Sequence, residues 1–320
     1  MGEDSFDIVA FDIGGTQGRC GVARVSSGAA FELTQVKALR RGVDEHGPEW
    51  LDRLMACAKD VCTRQPRFAA VSFGGPVSPD GSIQSMHVSG WDAVDLVGRI
   101  ASEFGLARTH VFVENDANAG ALGESRYGAG RGCLDMLYFT VSTGIGGGVI
   151  LNGSLRRGAH GMAGEFGHMI MDGDPNAPFY AAGKPGALEA LASGPAMERE
   201  GREALRRAGR DVPEALSAKV LFDAAELGEA WAVETRRTCV GHLARGIAAT
   251  VCAYDVERVV VGGGVALAGE ALFGPLREAV AVYLPKFMSG KVAILPAELG
   301  DRAPMFGAIA ACLDAQSENV

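Results

Sequence analysis

Apolar residues recur along this chain with two different periods, and the period changes at polar or glycine-rich breaks. Residues 6–13 (FDIVAFDI) and 18–25 are short apolar runs that read as paired strands, with a third strand around 31–39. From 48 onward Trp50, Leu51, Leu54, Met55, Ala58 and Cys62 recur at helical spacing. FAAVSF (68–73) is a buried strand running into Gly74-Gly75-Pro76. AVDLVGRIASEF (93–104) is an amphipathic helix with Gly105 placed to end it. THVFVEND (109–116) is a strand that ends in polar residues, and ANAGALGESRYG (117–128) reads as a helix.

The pattern restarts near 135. DMLYFTVS is a strand, TGIGGG a turn and VILNG a second strand. Both openings are hairpins closed by a Gly/Thr turn, and both lead into alternating helices and strands, as two halves on one plan would. Residues 187–254 are mostly helical, ERVVVGGGVALAGEAL (257–272) is strand, glycine turn and helix, and PMFGAIAACLDA (304–315) is a helix of small residues. This alternation predicts an α/β fold with largely covered sheets. No Pro- or Ser-rich linker is visible, so a domain boundary is expected in the short connection at 114–118. That gives one domain of 1–115 plus the C-terminal helix 303–320, and a second of 116–302.

Composition narrows the classes. A chain of 320 residues with 48% hydrophobic and 22% charged residues can bury a sizeable core. A net charge of −9 argues against a nucleic-acid surface, which needs a basic patch. The seven cysteines are odd in number, scattered and set in apolar runs, a pattern of reduced core thiols with no C-x-x-C knuckle. The acidic N-terminus lacks the basic start of a signal peptide, and no apolar stretch is long enough to span a bilayer. The expectation is a soluble, cytoplasmic protein without membrane or nucleic-acid partners.

Three glycine turns follow strands: Gly14-Gly15-Thr16, Thr143-Gly144-Ile145-Gly146-Gly147-Gly148, and Gly262-Gly263-Gly264. Glycine lets backbone N–H groups approach a phosphate, although one such turn alone can equally be a tight hairpin. A P-loop is excluded, because neither Gly-Lys pair is followed by Ser or Thr: Gly183-Lys184 precedes Pro185 and Gly290-Lys291 precedes Val292. GGGVAL from Gly262 carries Leu267 where a dinucleotide fingerprint needs glycine, and the protein-kinase motifs are absent. Glu114, Asn115, Asp116 and Asn118 crowd the end of an apolar strand. A helix N-cap needs one of them. A carboxylate there can also take the proton of a substrate hydroxyl, while phosphoryl transfer otherwise requires positioning and charge stabilisation.

DIGGT (12–16), GGPV (74–77), ENDANAGALGE (114–124), STGIGGGVILNGSLRRGAHGMAGEFGHM (142–169), LEALASG (188–194) and VVVGGGVALAGEAL (259–272) occur in order. In this the chain resembles the ROK family of bacterial sugar kinases (repressor, ORF, kinase) over nearly its whole length. The resemblance implies an actin/hexokinase/Hsp70-like (ribonuclease H-like) α/β fold, with two domains around a central cleft that closes on the sugar. It implies ATP-dependent phosphorylation of a hydroxyl of a hexose or hexose derivative, glucokinase-like, with Mg²⁺ beside the nucleotide. By match to the family's motifs, Asp116 is the general base. Gly14, Gly15 and Thr16 line the first phosphate loop, with Asp12 holding Mg²⁺ through water. Thr143, Gly144 and Gly146 form the second loop, and Gly263 and Gly264 border the adenosine. Gly75, Asn115, Glu165, His168 and Glu189 meet sugar hydroxyls, and family members are often dimers or tetramers.

The chain departs from the family in three places. Many members hold a structural zinc with one histidine and three cysteines. Here Tyr180, Ala182 and Ala187 stand at the cysteine positions and only His168 remains, so no structural zinc is expected. In MHVSGW (86–91), His87 stands where relatives carry a sugar-contacting asparagine, which brings an amino sugar such as N-acetylmannosamine, or a cyclitol, into range as the substrate. Gln17 replaces a common lysine or asparagine and receives no role. SLRRGAHG (154–161) reads as a solvated basic turn. Competing readings are a regulator, which in this family adds an N-terminal DNA-binding domain absent before the strand at residue 6, and a non-catalytic sugar sensor. A polyphosphate donor is a further alternative to ATP.

Overall fold

The computed structural model describes residues 5–26, 30–78, 80–85, 88–179 and 183–317. The chain divides into two compact units. One takes the residues up to Tyr127, Arg157–Ala163 and those from Arg302; the other takes Gly128–Arg156 and Gly164–Asp301.

In the first unit, strand β1 (Phe6–Ile13) is buried at seven of its eight positions, so it reads as an unbroken apolar run rather than an alternation. It pairs antiparallel with β2 (Gln17–Val25), Asp12 opposite Arg19, and parallel with β4 (Phe68–Phe73), Asp12 opposite Ser72. β3 (Phe31–Arg40) flanks β2, and β5 (Val111–Asn115) flanks β4 in parallel, giving the order β3-β2-β1-β4-β5. The period of two then sorts β1 between two faces. Val9, Phe11 and Ile13 pack with Trp50, Leu54 and Ile100, from helices α1 (Gly47–Val61) and α2 (Leu96–Phe104). Ile8 and Ala10 pack with Met305 and Ile309 of α9 (Ala303–Ser317). Both helix ends obey local chemistry. Asp95 caps α2 by accepting the Gly98 N–H at 2.9 Å, and Gly105 ends it with φ +62°. Cys62, expected on the apolar stripe, instead caps α1, and Val61 takes the buried place.

Helix α3 (Asp116–Tyr127) belongs to this unit, whereas the sequence boundary at 115/116 assigns it to the second. Its small residues pack directly on α9. A Cβ at Gly307 would stand 1.6 Å from the Ala119 carbonyl oxygen, so the two backbones touch. Phe31, Tyr127 and Phe306 close the far end, with ring centroids 5.2–5.8 Å apart.

The second unit repeats the plan. β6 (Met136–Val141) and β7 (Ile145–Leu151) form an antiparallel hairpin, β8 (Ser154–Leu155) flanks β7, and β9 (Arg258–Gly262) and β10 (Ala293–Pro296) add in parallel on the other side of β6. The order β10-β9-β6-β7-β8 matches that of the first sheet. β10 escaped the sequence reading because four residues ending in proline carry no readable period. One continuous core joins Leu137, Phe139 and Val261 to Leu243 and Ile247 of α7 (Ala230–Tyr254) and to Leu272 and Leu276 of α8 (Glu270–Tyr283). The shorter helices α4 (Leu188–Ala192), α5 (Gly194–Arg207) and α6 (Ala218–Glu226) complete the unit. None of the seven cysteines is in a disulfide. Among the described residues, no helix is long and apolar enough to cross a membrane.

Candidate active site

Three parallel strands of the first sheet end side by side, with Ile13 opposite Phe73 and Phe73 opposite Asn115. The next residues are the Gly14-Gly15 turn, the Gly74-Gly75 turn and Asp116. Brought together at this edge are Asp12, Gly14, Gly15, Thr16, Gly75, Asn115 and Asp116.

Asp12 is 7% exposed, and burying a carboxylate requires partners. Ser72 Oγ donates to its Oδ1 at 3.0 Å, and Arg19 Nη1 pairs with its Oδ2 at 3.0 Å. The turn that follows closes with the Gly14 N–H donating to the Gln17 carbonyl at 3.1 Å, so Gln17 serves through its backbone.

Asp116 opens α3. Its Oδ1 accepts from the Ala117 N–H at 2.8 Å and from Asn115 Nδ2 at 3.2 Å. Its Oδ2 lies 3.6 Å from where a Gly74 Cβ would stand, and that same point is 3.4 Å from the Gly14 Cα, so the carboxylate lies beside the first glycine turn. Asn115 Nδ2 also donates to the Gly75 carbonyl at 3.0 Å, while its Oδ1 accepts the N–H groups of Ala117 (3.0 Å) and Asn118 (3.1 Å). An amide offers two donors and two acceptor sites, and all four are used inside this unit. Asn115 therefore orients Asp116, and a sugar contact from it requires giving up one of these bonds.

Glu114, 6% exposed, turns to the other side of β5. Its Oε1 accepts from the Asn115 N–H at 3.1 Å and Asn118 Nδ2 at 3.2 Å, and its Oε2 from Arg157 Nε at 2.7 Å. The basic turn is thus not merely solvated: Arg157 neutralises a buried carboxylate two residues from Asp116, and Arg156 Nη2 donates to the Leu151 carbonyl at 3.0 Å. A cavity of about 560 Å³ in this unit is lined by Val77, Asp80, Arg108, Glu114, Arg157 and Gly161 among others, and none of the expected site residues lines it.

The second unit collects the other set. The Ser142 N–H donates to the Gly144 carbonyl at 2.9 Å, and the Ser142 carbonyl accepts the Gly194 N–H at 2.8 Å. Gly263 has φ +85° and lies so close to β6 that a Cβ would stand 2.4 Å from the Val141 carbonyl oxygen. Gly263 and Gly264 therefore lie against the Ser142–Gly144 turn, which carries Thr143 on an exposed crest. Glu189, in the first turn of α4, accepts the Ile145 N–H on Oε2 at 2.8 Å. The same oxygen is 2.5 Å from the place of a Gly144 Cβ, so glycine there leaves room for the carboxylate. Phe166 stacks on Phe139 at 4.6 Å and pins the 165–168 turn to β6. On that turn His168 Nε2 lies 3.7 Å from Glu165 Oε2. Burial raises the Glu165 carboxyl above its ordinary value, opposed by His168 and helped by Glu189. Gly146, the last of this set, pairs with Thr140 in the β6–β7 ladder. His87 lies outside the described residues.

Of the groups that sequence reasoning missed, Arg19 was within reach, because the hairpin register sets it opposite Asp12. Ser72, Arg41, Trp50 and Arg157 gave no local signal: their site partners lie 60, 26, 36 and 43 residues away in the chain.

The residues fit a magnesium ion brought in with a nucleotide. Mg²⁺ keeps most of its waters and needs only one or two carboxylates besides phosphate oxygens, and Asp12 is one carboxylate at the turn. Among the described residues no three His, Cys, Asp or Glu side chains are grouped as a metal cage.

Comparison with known proteins gives a consistent result. A family model described as the ROK family matches residues 8–315. A glucokinase of Thermotoga maritima is 35% identical over 312 residues, which is 94% of this chain and 95% of the relative. A ROK hexokinase from Thermus thermophilus matches in structure with a TM-score of 0.81 at 31% identity, over 98% of this chain and 99% of the other. A ROK family glucokinase from Streptomyces griseus, solved in complex with glucose and AMPPNP, gives 0.80 at 27% identity, over 95% and 98%. These neighbours have the actin/hexokinase-like fold expected from the sequence.

Proposed function

The chain belongs to the ROK family and is a sugar phosphotransferase, and on that premise we propose that it moves the γ-phosphoryl group of ATP to a hydroxyl of a hexose or hexose derivative, with Asp116 as general base. The observation that carries this reading is the Asp116 carboxylate. It is held at the end of β5 by the Ala117 N–H and the Asn115 amide, and its second oxygen lies beside the first glycine turn.

In the proposed reaction the hydroxyl oxygen attacks the γ-phosphorus as Asp116 takes its proton, and ADP leaves with the electrons of the broken P–O bond. The first loop, Gly14, Gly15 and Thr16, offers the Gly15 and Thr16 N–H groups to the phosphates, the Gly14 N–H closing the turn on Gln17. Thr143, Gly144 and Gly146 serve as the second loop, and Gly263 and Gly264 border the nucleoside. Asp12 would hold the Mg²⁺ that accompanies the nucleotide, and the ion would supply positive charge to the phosphate oxygens. Arg19 and Ser72 hold the Asp12 carboxylate in place for that task. Gly75, Asn115, Glu165, His168 and Glu189 are assigned to the sugar. Glu189 has one oxygen committed to the Ile145 N–H and one left for a hydroxyl. A carboxyl raised by burial, as at Glu165, also suits hydrogen bonding to a neutral polyol.

The test is ADP release from ATP and Mg²⁺ with glucose, mannose, fructose, N-acetylmannosamine, N-acetylglucosamine and a cyclitol. Sugar-dependent release is expected with one class preferred. Release from none of them, in folded protein, overturns the kinase reading.

A further inference from the structure

The Gly14-Gly15-Thr16 turn is held from outside its own strands, and always by its carbonyl oxygens. Trp50 Nε1 donates to the Gly14 carbonyl at 3.1 Å, Arg41 Nε to the Gly15 carbonyl at 2.6 Å, and the Arg41 backbone N–H to the Thr16 carbonyl at 2.9 Å. No peptide bond among the described residues is cis. In a trans peptide the C=O of one residue and the N–H of the next point in opposite directions. Tying the Gly14 and Gly15 carbonyls to Trp50 and Arg41 therefore turns the Gly15 and Thr16 N–H groups away from those donors. Among the described residues neither N–H has an internal acceptor.

Both anchors are themselves braced. Arg41 Nη1 donates to the Val43 and Glu45 carbonyls, which fixes the guanidinium. The Glu45 carboxylate accepts the Gly42 N–H at 2.8 Å and Arg53 Nη1 at 2.7 Å, and the Arg53 guanidinium lies over the Trp50 ring, 5.4 Å from its centroid. Trp50 is fully buried and packs against Gly18, where a Cβ would stand 2.8 Å from its ring. One network of Arg41, Glu45, Trp50 and Arg53 thus grips the turn.

We propose that Arg41 and Trp50 are positioning residues for the phosphoryl donor: by holding the three carbonyl oxygens inward they present the Gly15 and Thr16 N–H groups to an anionic phosphate. A carbonyl swung outward would set a partial negative charge against that phosphate. The proposal rests on the kinase reading above. It assigns Arg41 and Trp50 no contact with the sugar, so their loss acts on the donor.

The experiment is titration of wild type, Arg41→Met and Trp50→Phe with the Mg²⁺ complex of AMPPNP, beside KM for ATP, KM for the preferred sugar and the melting temperature. Trp50→Phe removes one N–H, keeps a ring in the core and changes no charge, so its effect cannot be lost charge. The expected result is about ten-fold weaker nucleotide binding and a matching rise in the KM for ATP in each variant, with the KM for sugar within about two-fold. Variants that bind AMPPNP as tightly as a wild type that does bind it overturn the positioning role alone. So does a parallel rise in both KM values, which marks general disorder of the unit. A wild type that neither binds AMPPNP nor releases ADP overturns the kinase reading, and this proposal with it.

Discussion

The two sheets share one strand order, β3-β2-β1-β4-β5 and β8-β7-β6-β9-β10, yet the side chains that anchor their hairpin turns differ, donors at the first and an acceptor at the second. The 14–16 turn is gripped by donors, Trp50 and Arg41, through its carbonyl oxygens. The 142–145 turn is gripped in both senses: the Gly194 N–H donates to the Ser142 carbonyl, and the Glu189 carboxylate accepts the Ile145 N–H. Equivalent positions carry unlike residues as well. Asp12 pairs with Arg19 across its hairpin where Thr140 pairs with Gly146 across the other. Topology thus fixes where a turn lies, while the polarity of its side-chain anchors fixes what the turn can offer. The first turn is built to show N–H groups and has a buried carboxylate beside it. The second gives up an N–H to a carboxylate that stays partly available.

The contrast can be broken first at Glu189. Glu189→Ala leaves the Ile145 N–H without its acceptor, an expected loss of about 1–3 kcal/mol, while Glu189→Gln keeps an acceptor and most of the stability. Thermal unfolding of both variants separates the two cases. Equal melting temperatures would show that Glu189 does not anchor the turn. The next effect lies in the first unit. Arg157→Met leaves Glu114 buried with only neutral donors, at about 1 kcal/mol, below the usual range for a charged hydrogen bond because Arg157 is half exposed and screened by solvent. Urea unfolding checks this, and an unchanged midpoint would return Arg157 to the solvated surface.

The smallest effect depends on pH. The folded-state carboxyl of Glu165 titrates above its unfolded value, so the unfolded state gives up its proton first as pH rises. Stability therefore falls through the interval between the two values, and the cost is complete above the folded one. Glu165→Gln should raise the melting temperature slightly at pH 7, and the gain should vanish near pH 4. A gain that grows on acidification contradicts the sign.

Much of this was legible in the chain. The strand ends at Ile13, Phe73 and Asn115 and the turns after them could be read from an apolar run meeting glycine or acid, because both are local signals. The bounds of β1 and β4 and the Gly105 stop of α2 follow from the same kind of signal. What supports the turns could not be read. Trp50 is one apolar position of a helical stripe, and Arg41 one of two adjacent arginines; neither declares that a carbonyl of a distant turn lies opposite. The place of α3 was hidden for a similar reason. Its packing on α9 is written in small residues nearly two hundred positions apart, such as Ala119 and Gly307, and small residues carry no period of their own.

The central claim is that Asp116 removes the proton from the accepting hydroxyl. It is tested most directly by kcat for sugar-dependent ADP release in Asp116→Asn against wild type. Asparagine keeps the shape and an acceptor for the Ala117 N–H, so fold and binding should persist. The account predicts a fall in kcat of about 10³-fold, within the usual range for a general base, with an unchanged melting temperature and KM values within a few-fold. A variant that turns over within about ten-fold of wild type would contradict it and assign the proton to another group.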